Sequence, residues 1–365
     1  MLGGRRAQAA GYGIVGKGGG THGLLLHPVL AVDAGTGAVL GLVSIKAWNR
    51  AASVVTPRRQ RATGAKESQR WIDGAVQAGD VLGAAASITV VSDRESDCYE
   101  LFAARPAKVQ LIVRACQNRR IAPEGLLVPL LDDLPEHGRF AANIAAAPGR
   151  KARTAELTVR FAPASLRKPI NGAAPSLPAT IEVSVVDVRE ISAPADGSEP
   201  IHWRLLTTHA VTNLGEARRV IDLYRLRWII EEFFRTLKTA GFDIEAADIG
   251  EPQAMINFVA AATVAAVTIK QLVQARDGNT GQHLTDAFEP DDQPLLEAVS
   301  AGLEGKTERQ RNPHPKGSLA FAAWVIARLG GWTGYYGKPG PQVMRRGLQD
   351  FRAIKHGSTL RLHDV

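Results

Sequence analysis

Two short apolar runs with a helical stretch between them limit the folds open to this chain. "ASITVVSD" (86–93) has the composition of a strand that ends in a carboxylate, and "VQLIVRA" (109–115) that of the next strand. "RESDCYELFAAR" between them has helical spacing. Earlier in the chain, two β-rich runs around "AGTG" predict a hairpin over residues 23–48. Strands mixed with helices in this way indicate the α/β class.

Changes in composition and in the apolar pattern divide the chain further. Short β-runs separated by stretches rich in Pro, Gly and Ala predict a β-rich insertion, and helical patterns return after it. We therefore expect four segments: 1–115 as the first part of an α/β core, 116–205 as the β-rich insertion, 206–275 as the second part of the core, and 276–365 as a helical C-terminal segment.

Composition narrows the classes of partner and site. The 44 Lys and Arg exceed the 36 Asp and Glu, and a net charge of +8 modestly favours an anionic partner. Cys98 and Cys116 are the only cysteines, which excludes a disulfide framework and a four-cysteine zinc site. The apolar run 258–269 is too short to cross a bilayer, so it predicts a buried helix. With no apolar signal-peptide region at its start, the chain is expected to be cytoplasmic, with no membrane partner.

A charged stripe marks the stretch "YRLRWIIEEFFRTLKTAGFDIE" (224–245), which the periodicity predicts to be one amphipathic helix. At about 100° per residue, Tyr224, Arg227, Glu231 and Lys238 form a narrow stripe beside the apolar face. A structural explanation is also open, because Arg227 and Arg235 lie four residues from Glu231 and can form helix ion pairs with it.

Asp93 stands where a predicted strand ends, a usual position for a catalytic side chain in an α/β sheet. The alternative is a capping box, with Ser92 as the N-cap and Glu95 three residues on. Asp93 would then only favour the helix N-terminus electrostatically.

The spacing of Tyr224, Arg227, Glu231 and Lys238 resembles the Y-R-E-K signature of the insertion-sequence-four group of bacterial DDE transposases. "VVSDRESD" (90–97) resembles the second-aspartate motif of that family, and the β-rich insertion separates the two motifs as in the family. The resemblance implies an RNase H-like mixed sheet with a β-rich insertion and a helical C-terminal segment that mediates dimerisation. It also implies cut-and-paste transposition of double-stranded DNA, with a homodimer acting on transposon ends and target DNA.

By the same resemblance, Asp93 and Glu231 would be ligands of Mg²⁺, with Mn²⁺ as a substitute. Tyr224, Arg227 and Lys238 would hold phosphates of the DNA end. Such enzymes form a hairpin on the excised end, which requires a base to leave the stack. The positions that match this step are Trp203, Trp228 and Arg114.

Trp203 and a basic stretch earlier in the chain each have a structural alternative to a role in DNA binding. Trp203 could equally be a core residue of the insertion, as aromatic residues in strands usually are. A basic stretch could track the phosphates or could be an ordinary solvated loop. Its residues are Arg58, Arg59, Arg61, Lys66 and Arg70.

The chain departs from the family in one respect: no Asp in the expected context marks the first catalytic carboxylate. Asp33 is the nearest substitute, but its place beside "AGTG" favours a role in the turn. The resemblance puts the missing Asp before Met1, so the expectation is an N-terminally truncated product, with the first strand of the sheet missing and without activity. Two alternatives stay open: a non-catalytic protein that binds DNA or inhibits an intact transposase by dimerising with it, and a general RNase H-like nuclease.

Overall fold

A computed structural model describes residues 12–15, 21–50, 67–144, 151–170, 174–240, 242–247 and 249–361. The chain forms two compact units, one made of Met1–Ser53 with Trp228–Val365 and the other of Val54–Arg227. Each unit is described by itself.

The strands, in chain order, are β1 (Ile14–Val15), β2 (Thr21–His22), β3 (Leu25–Val32), β4 (Val39–Trp48), β5 (Ile88–Ser92), β6 (Val109–Arg114), β7 (Ile121–Ala122), β8 (Gly138–Ile144), β9 (Arg153–Arg167), β10 (Thr180–Glu190) and β11 (His202–Thr207). The α-helices are α1 (Gln69–Val81), α2 (Tyr99–Ala104), α3 (Leu127–Asp133), α4 (Leu214–Arg225), α5 (Trp228–Arg235), α6 (Pro252–Ala275), α7 (Asp292–Leu303), α8 (Leu319–Leu329) and α9 (Pro341–Arg361).

The Val54–Arg227 unit is built on a mixed sheet of seven strands in the order β5-β6-β11-β10-β9-β7, with β8 also paired to β9. β5 and β6 are parallel, and the other pairs are antiparallel. The β-rich segment continues the sheet of β5 and β6, because β11 pairs directly with β6. The predicted α/β class with a mixed sheet is therefore confirmed.

Helix α4 covers one face of this sheet. Asn213 caps its start by accepting a hydrogen bond from the backbone N–H of Glu216 at 3.0 Å. Its apolar side, which includes Ala217 and Ile221, packs with inward-facing strand residues such as Val186 and Leu205. All four of these side chains are fully buried, so removal of apolar surface from water holds α4 on the sheet.

The other unit contains the predicted hairpin, formed by antiparallel β3 and β4. Three glutamine side chains tie β4 and its turn to the helical part of the unit. The amide of Gln274 accepts from the Val39 N–H at 2.9 Å and donates to the Gly37 carbonyl at 2.9 Å. Gln271 donates to the Leu40 carbonyl at 3.1 Å, and Gln282 donates to the Val39 carbonyl at 3.0 Å. These hydrogen bonds satisfy backbone groups that the two-stranded sheet leaves unpaired.

Helices α7 to α9 lie in the helical C-terminal segment that the sequence predicts, and α6 before it packs with them. Helix α8 is the centre of their core, with every residue from Leu319 to Ala327 buried. Helix α9 contributes Met344, Leu348 and Phe351 to the same core. This part of the unit therefore has an apolar core of its own.

Helix α6 is longer than the apolar run within it suggested. At 24 residues it has the length and mean hydropathy of a membrane span, the one such helix in the described part of the chain, and half of that window is buried. Its buried side chains include Met255, Val259 and Leu272, so α6 is a core helix of its unit, as the Ala-rich run predicts.

The prediction of one continuous helix from Tyr224 onward is wrong. Helix α4 ends at Arg225, and i→i+3 hydrogen bonds from the N–H groups of Leu226 and Arg227 close a tight turn before α5 begins at Trp228. The apolar residues on the two sides of this turn belong to different cores, since Tyr224 packs in one unit and Phe233 in the other. A helical wheel assumes one partner surface and cannot detect this division.

Helices α8 and α9 cross in close backbone contact at Gly347. A Cβ there would lie 1.7 Å from the carbonyl oxygen of Ile326, whereas a Cβ at Gly357 on the same helix meets nothing within 4 Å. We expect Gly347→Ala to lower the free energy of unfolding by about 1–3 kcal/mol or more, because the helices must move apart. Gly357→Ala should raise it by up to about 1 kcal/mol, since Ala favours a helix interior. Denaturant unfolding of both variants checks the opposite signs, and equal effects would contradict this packing.

Candidate active site

Asp93 follows directly on β5. Pairing of Ser92 with Val113 keeps the chain extended to the end of the strand, and a single 3₁₀ turn over Arg94–Ser96 comes after it. Asp93 itself is the N-cap, accepting from the Arg94 N–H at 2.5 Å. The predicted capping box with Ser92 as N-cap is therefore wrong, because Ser92 is still part of the strand.

The two other members of that predicted box have different partners. The Ser92 hydroxyl bonds with that of Ser96 at 2.6 Å. Glu95 accepts from the guanidinium of Arg70 at 2.5 Å, so this one residue of the predicted basic loop is engaged with a carboxylate. The remaining members of that loop lie outside the described residues: Arg58, Arg59, Arg61 and Lys66.

Asp93 and Arg227 are distant in the sequence and close in the Val54–Arg227 unit. The Asp93 Oδ2 lies 3.7 Å from the Arg227 Nη1. The Asp93 side chain is 45% exposed and that of Arg227 is 17% exposed. The unit thus places a partly accessible carboxylate, predicted to bind metal, beside a guanidinium predicted to bind phosphate.

Tyr224 and Trp203 pack together in the core under α4. Their ring centroids are 5.6 Å apart in an edge-to-face arrangement, and Tyr224 is only 4% exposed. Trp203 lies on β11 opposite Val188 of β10 and is partly buried against the same core. This geometry supports the core alternative for Trp203, and the DNA-contacting roles of both residues stay predictions.

Arg114 is partly buried, and Trp228 is exposed. Arg114 is the last residue of β6 and donates from Nη2 to the His202 carbonyl at 2.9 Å. Trp228 is the first residue of α5 and is 51% exposed.

Glu231 lies on α5, in the unit that contains Trp228–Val365, and its side chain is exposed. The residue after it anchors this helix: Glu232 pairs with Lys270 of α6, whose side chain is 9% exposed. Thr236 adds a hydrogen bond from its hydroxyl to the Glu232 carbonyl at 3.1 Å. The helix that presents Glu231 is thus fixed to α6 through its neighbour.

Lys238 lies in the π-helical turn Thr236–Ala240 that follows α5. Its ammonium pairs with Glu245 at 2.9 Å, and the two side chains are 30% and 41% exposed. A phosphate would have to replace this partly solvated ion pair, which costs little.

Asp33 has the surroundings of a turn residue. Its Oδ1 accepts from the Gly35 N–H at 3.1 Å, the Thr36 N–H at 2.7 Å and the Thr36 hydroxyl at 2.8 Å. The hydrogen bonds from the backbone and the hydroxyl of Thr36 hold the pKa of the Asp33 carboxyl below its ordinary value. These contacts agree with the turn role that the sequence favours.

A buried ion pair beside Asp93 escaped the sequence analysis. The side chain of Asp97 is fully buried and that of Arg119 is 6% exposed. Asp97 Oδ1 accepts from Arg119 Nε at 2.7 Å. Asp97 Oδ2 accepts from the N–H groups of Cys116 and Gln117 at 2.8 and 3.0 Å. The only local signal was a second Asp in "SDRESD", and nothing near it in the sequence points to Arg119.

The thiol of Cys116 adds a weaker link, donating to the Arg94 carbonyl at 3.3 Å. Burial raises the pKa of this thiol, and the negative charge of Asp97 raises it further. The thiol therefore stays protonated at neutral pH and can donate.

The carboxylates of Asp93 and Glu231 are chemically suited to a hard divalent cation, since both are accessible to solvent and offer oxygen ligands. In the described ranges, no group of three or more His, Cys, Asp or Glu residues is close enough to hold a metal ion. The fit thus rests on the type of donor and not on a complete ligand set.

The two tryptophans should respond differently to truncation. Trp203→Ala removes a ring that packs against Tyr224, so we expect it to lower the free energy of unfolding by about 2 kcal/mol or more. Trp228→Ala, at a position 51% exposed, should change it by less than about 0.5 kcal/mol. Chemical denaturation of the two variants provides the comparison, and a neutral Trp203→Ala would remove the case for a core role.

In a comparison with known families, residues 4–267 match the family described as the transposase DDE domain. The matched region covers more than half of the 365 residues and contains Asp93, Arg227, Glu231 and Lys238. It ends inside α6, so helices α7 to α9 lie beyond it.

Proposed function

Because this chain belongs to the transposase DDE domain family, we propose that it is built for cut-and-paste DNA transposition: cleavage at transposon ends, followed by strand transfer into target DNA. Within the family, the Y-R-E-K spacing favours the insertion-sequence-four group. The observation that carries the proposal is the 3.7 Å approach of Arg227 to Asp93, which places the second-aspartate motif beside the first part of the Y-R-E-K stretch within the Val54–Arg227 unit.

We assign Asp93 and Glu231 as ligands of Mg²⁺, or of Mn²⁺ in its place. When bound, such ions activate the attacking water or 3′-hydroxyl and stabilise the leaving oxygen of the phosphodiester. Arg227 serves this chemistry from beside Asp93. Its planar guanidinium has five donors, so it can face the carboxylate with one edge and a DNA phosphate with another.

We assign the remaining DNA contacts to side chains that are accessible to solvent. Lys238 would exchange Glu245 for a phosphate. About half of the surface of Trp228 is exposed to solvent. We therefore favour Trp228 over the partly buried Trp203 for stacking on a displaced base. Tyr224 then acts from the core, holding the end of α4 from which the chain turns to Arg227. Association of two copies on paired DNA ends remains a prediction.

A third carboxylate is needed for the triad of the family, and the turn contacts of Asp33 argue against that residue. Three hydrogen bonds already occupy its Oδ1, and all come from the turn itself. We therefore propose that the 365 residues by themselves do not cleave DNA, since no Asp or Glu precedes Asp33. The tests below also use an extended version, in which a strand that carries the first Asp of the family is fused before Met1.

In that extended version, Asp93→Asn and Glu231→Gln should each reduce Mg²⁺-dependent nicking of a transposon-end duplex by at least about a thousandfold, because each removes the charge of a metal ligand at constant shape. DNA binding, measured by fluorescence anisotropy in Ca²⁺, should stay within a few fold. Glu124→Gln, in an exposed loop after β7, is the charge-matched control and should cleave like the parent.

Cleavage within a few fold of the parent by either variant would refute the assignment of that carboxylate. Robust nicking by the unextended chain that is lost in Asp33→Asn would show that Asp33 completes the triad after all. Cleavage of unrelated duplexes at the same rate as the transposon-end duplex would instead favour a general nuclease.

A further inference from the structure

We propose that Asp97 and Arg119 are positioning residues, and that their buried ion pair holds the turn that presents Asp93 in its working orientation. The proposal rests on the function proposed above for Asp93 and assigns a role to two residues that do not contact DNA or metal themselves.

The contacts of Asp97 involve its main chain as well as its side chain. Its carboxylate binds Arg119 and the two N–H groups of residues 116 and 117, as described above. Its carbonyl accepts from Arg119 Nη2 at 2.6 Å and from Gln117 Nε2 at 2.9 Å. The carboxylate and the main-chain carbonyl of Asp97 are therefore both bonded to the segment that follows β6.

We call the ion pair of Asp97 and Arg119 the clamp. One turn of backbone connects Asp93 to it. The carbonyl of Asp93 accepts from the Ser96 N–H at 3.0 Å and from the Ser96 hydroxyl at 2.6 Å. The N–H of Asp97 in turn donates to the Arg94 carbonyl at 3.2 Å. Because the turn is this short, a shift of Asp97 must move the backbone that carries the Asp93 carboxylate.

Burial of the Asp97 carboxylate restricts the position of the turn between β5 and α2. A carboxylate with no exposed surface must find all its partners within the protein, and loss of one partner leaves an uncompensated charge. The turn between β5 and α2 thus has one position that satisfies Asp97. Residues that orient metal ligands in this way typically change metal affinity by about ten- to a hundredfold when altered.

A buried pair elsewhere in the same unit gives a matched control. Glu190 bonds Arg153 through both of its oxygens and also accepts from the Ile201 N–H at 2.9 Å. Its side chain is 4% exposed, and it lies at the end of β10, in the β-rich segment. Glu190→Gln therefore disturbs a comparable buried carboxylate that is not part of the Asp93 turn.

The first measurement is hydrogen–deuterium exchange without metal, on the parent chain and on Asp97→Asn, Arg119→Lys and Glu190→Gln. We expect the two clamp variants to raise exchange at the amides of residues 94–98 and 116–117 by about tenfold or more. Glu190→Gln should leave these amides unchanged and loosen β10 and β11 instead. If Asp97→Asn fails to fold, Arg119→Lys, which keeps the charge but loses the forked geometry, supplies the result.

The second measurement is Mn²⁺ affinity, followed by calorimetry in the extended version of the chain. Asp97→Asn and Arg119→Lys should weaken Mn²⁺ binding by about ten- to a hundredfold, and Glu190→Gln by less than twofold. Exchange at residues 94–98 that stays at the parent level in both clamp variants would overturn the proposal. Equal loss of Mn²⁺ affinity in all three variants would do the same, because it would indicate a general effect on stability.

The two proposals can fail separately. Asp93→Asn in the same titration tests the metal assignment: unchanged Mn²⁺ affinity would refute the role of Asp93 as a ligand. The exchange data would still decide whether Asp97 and Arg119 fix the turn. Loss of binding in Asp93→Asn with parent-like affinity in both clamp variants would refute the positioning role alone.

Discussion

The parallel pairing of β5 with β6 is the constraint on which the site in the Val54–Arg227 unit depends. The carboxyl ends of parallel strands lie at the same edge of a sheet, so the segments after Ser92 and after Arg114 begin side by side. The first segment carries Asp93 and Asp97, and the second carries Arg119. Hydrogen bonding along two short strands thus places the partners of a buried ion pair within reach of each other, although many residues separate them along the chain.

A shared arrangement holds the two assigned carboxylates, each within its own unit. Asp93 is accessible, and four residues later the buried Asp97 bonds to Arg119. Glu231 is exposed, and the next residue, Glu232, pairs with the buried Lys270. In each case an exposed acid that we propose as a metal ligand lies close in the sequence to an acid held in an ion pair. Such anchoring matters because a metal ligand must keep its orientation when no metal is bound.

The sequence predicted the parts of this structure that depend on local order. The two β-rich runs around "AGTG" predicted the hairpin, the apolar run before Asp93 predicted β5, and the Ala-rich run predicted a buried helix. The errors arose where tertiary partners decide. The break between Arg225 and Trp228 follows from two separate cores, and the pairing of Ser92 with Val113 makes Asp93 the N-cap. Arg119 could not be linked to Asp97 from the sequence, because no local pattern encodes a contact between loops that follow neighbouring strands.

Metal-directed cleavage of the protein tests most directly whether Asp93 and Glu231 bind the metal ions, as we propose. Fe²⁺ in place of Mg²⁺, with ascorbate and peroxide, produces hydroxyl radicals that cut the polypeptide near the ligands. The extended chain bound to a transposon-end duplex should be cut near residues 93 and 231, and excess Mg²⁺ should suppress both cuts. Cuts confined to other regions, such as the turn at Asp33, or cuts at 93 and 231 that Mg²⁺ does not suppress, would contradict the assignment.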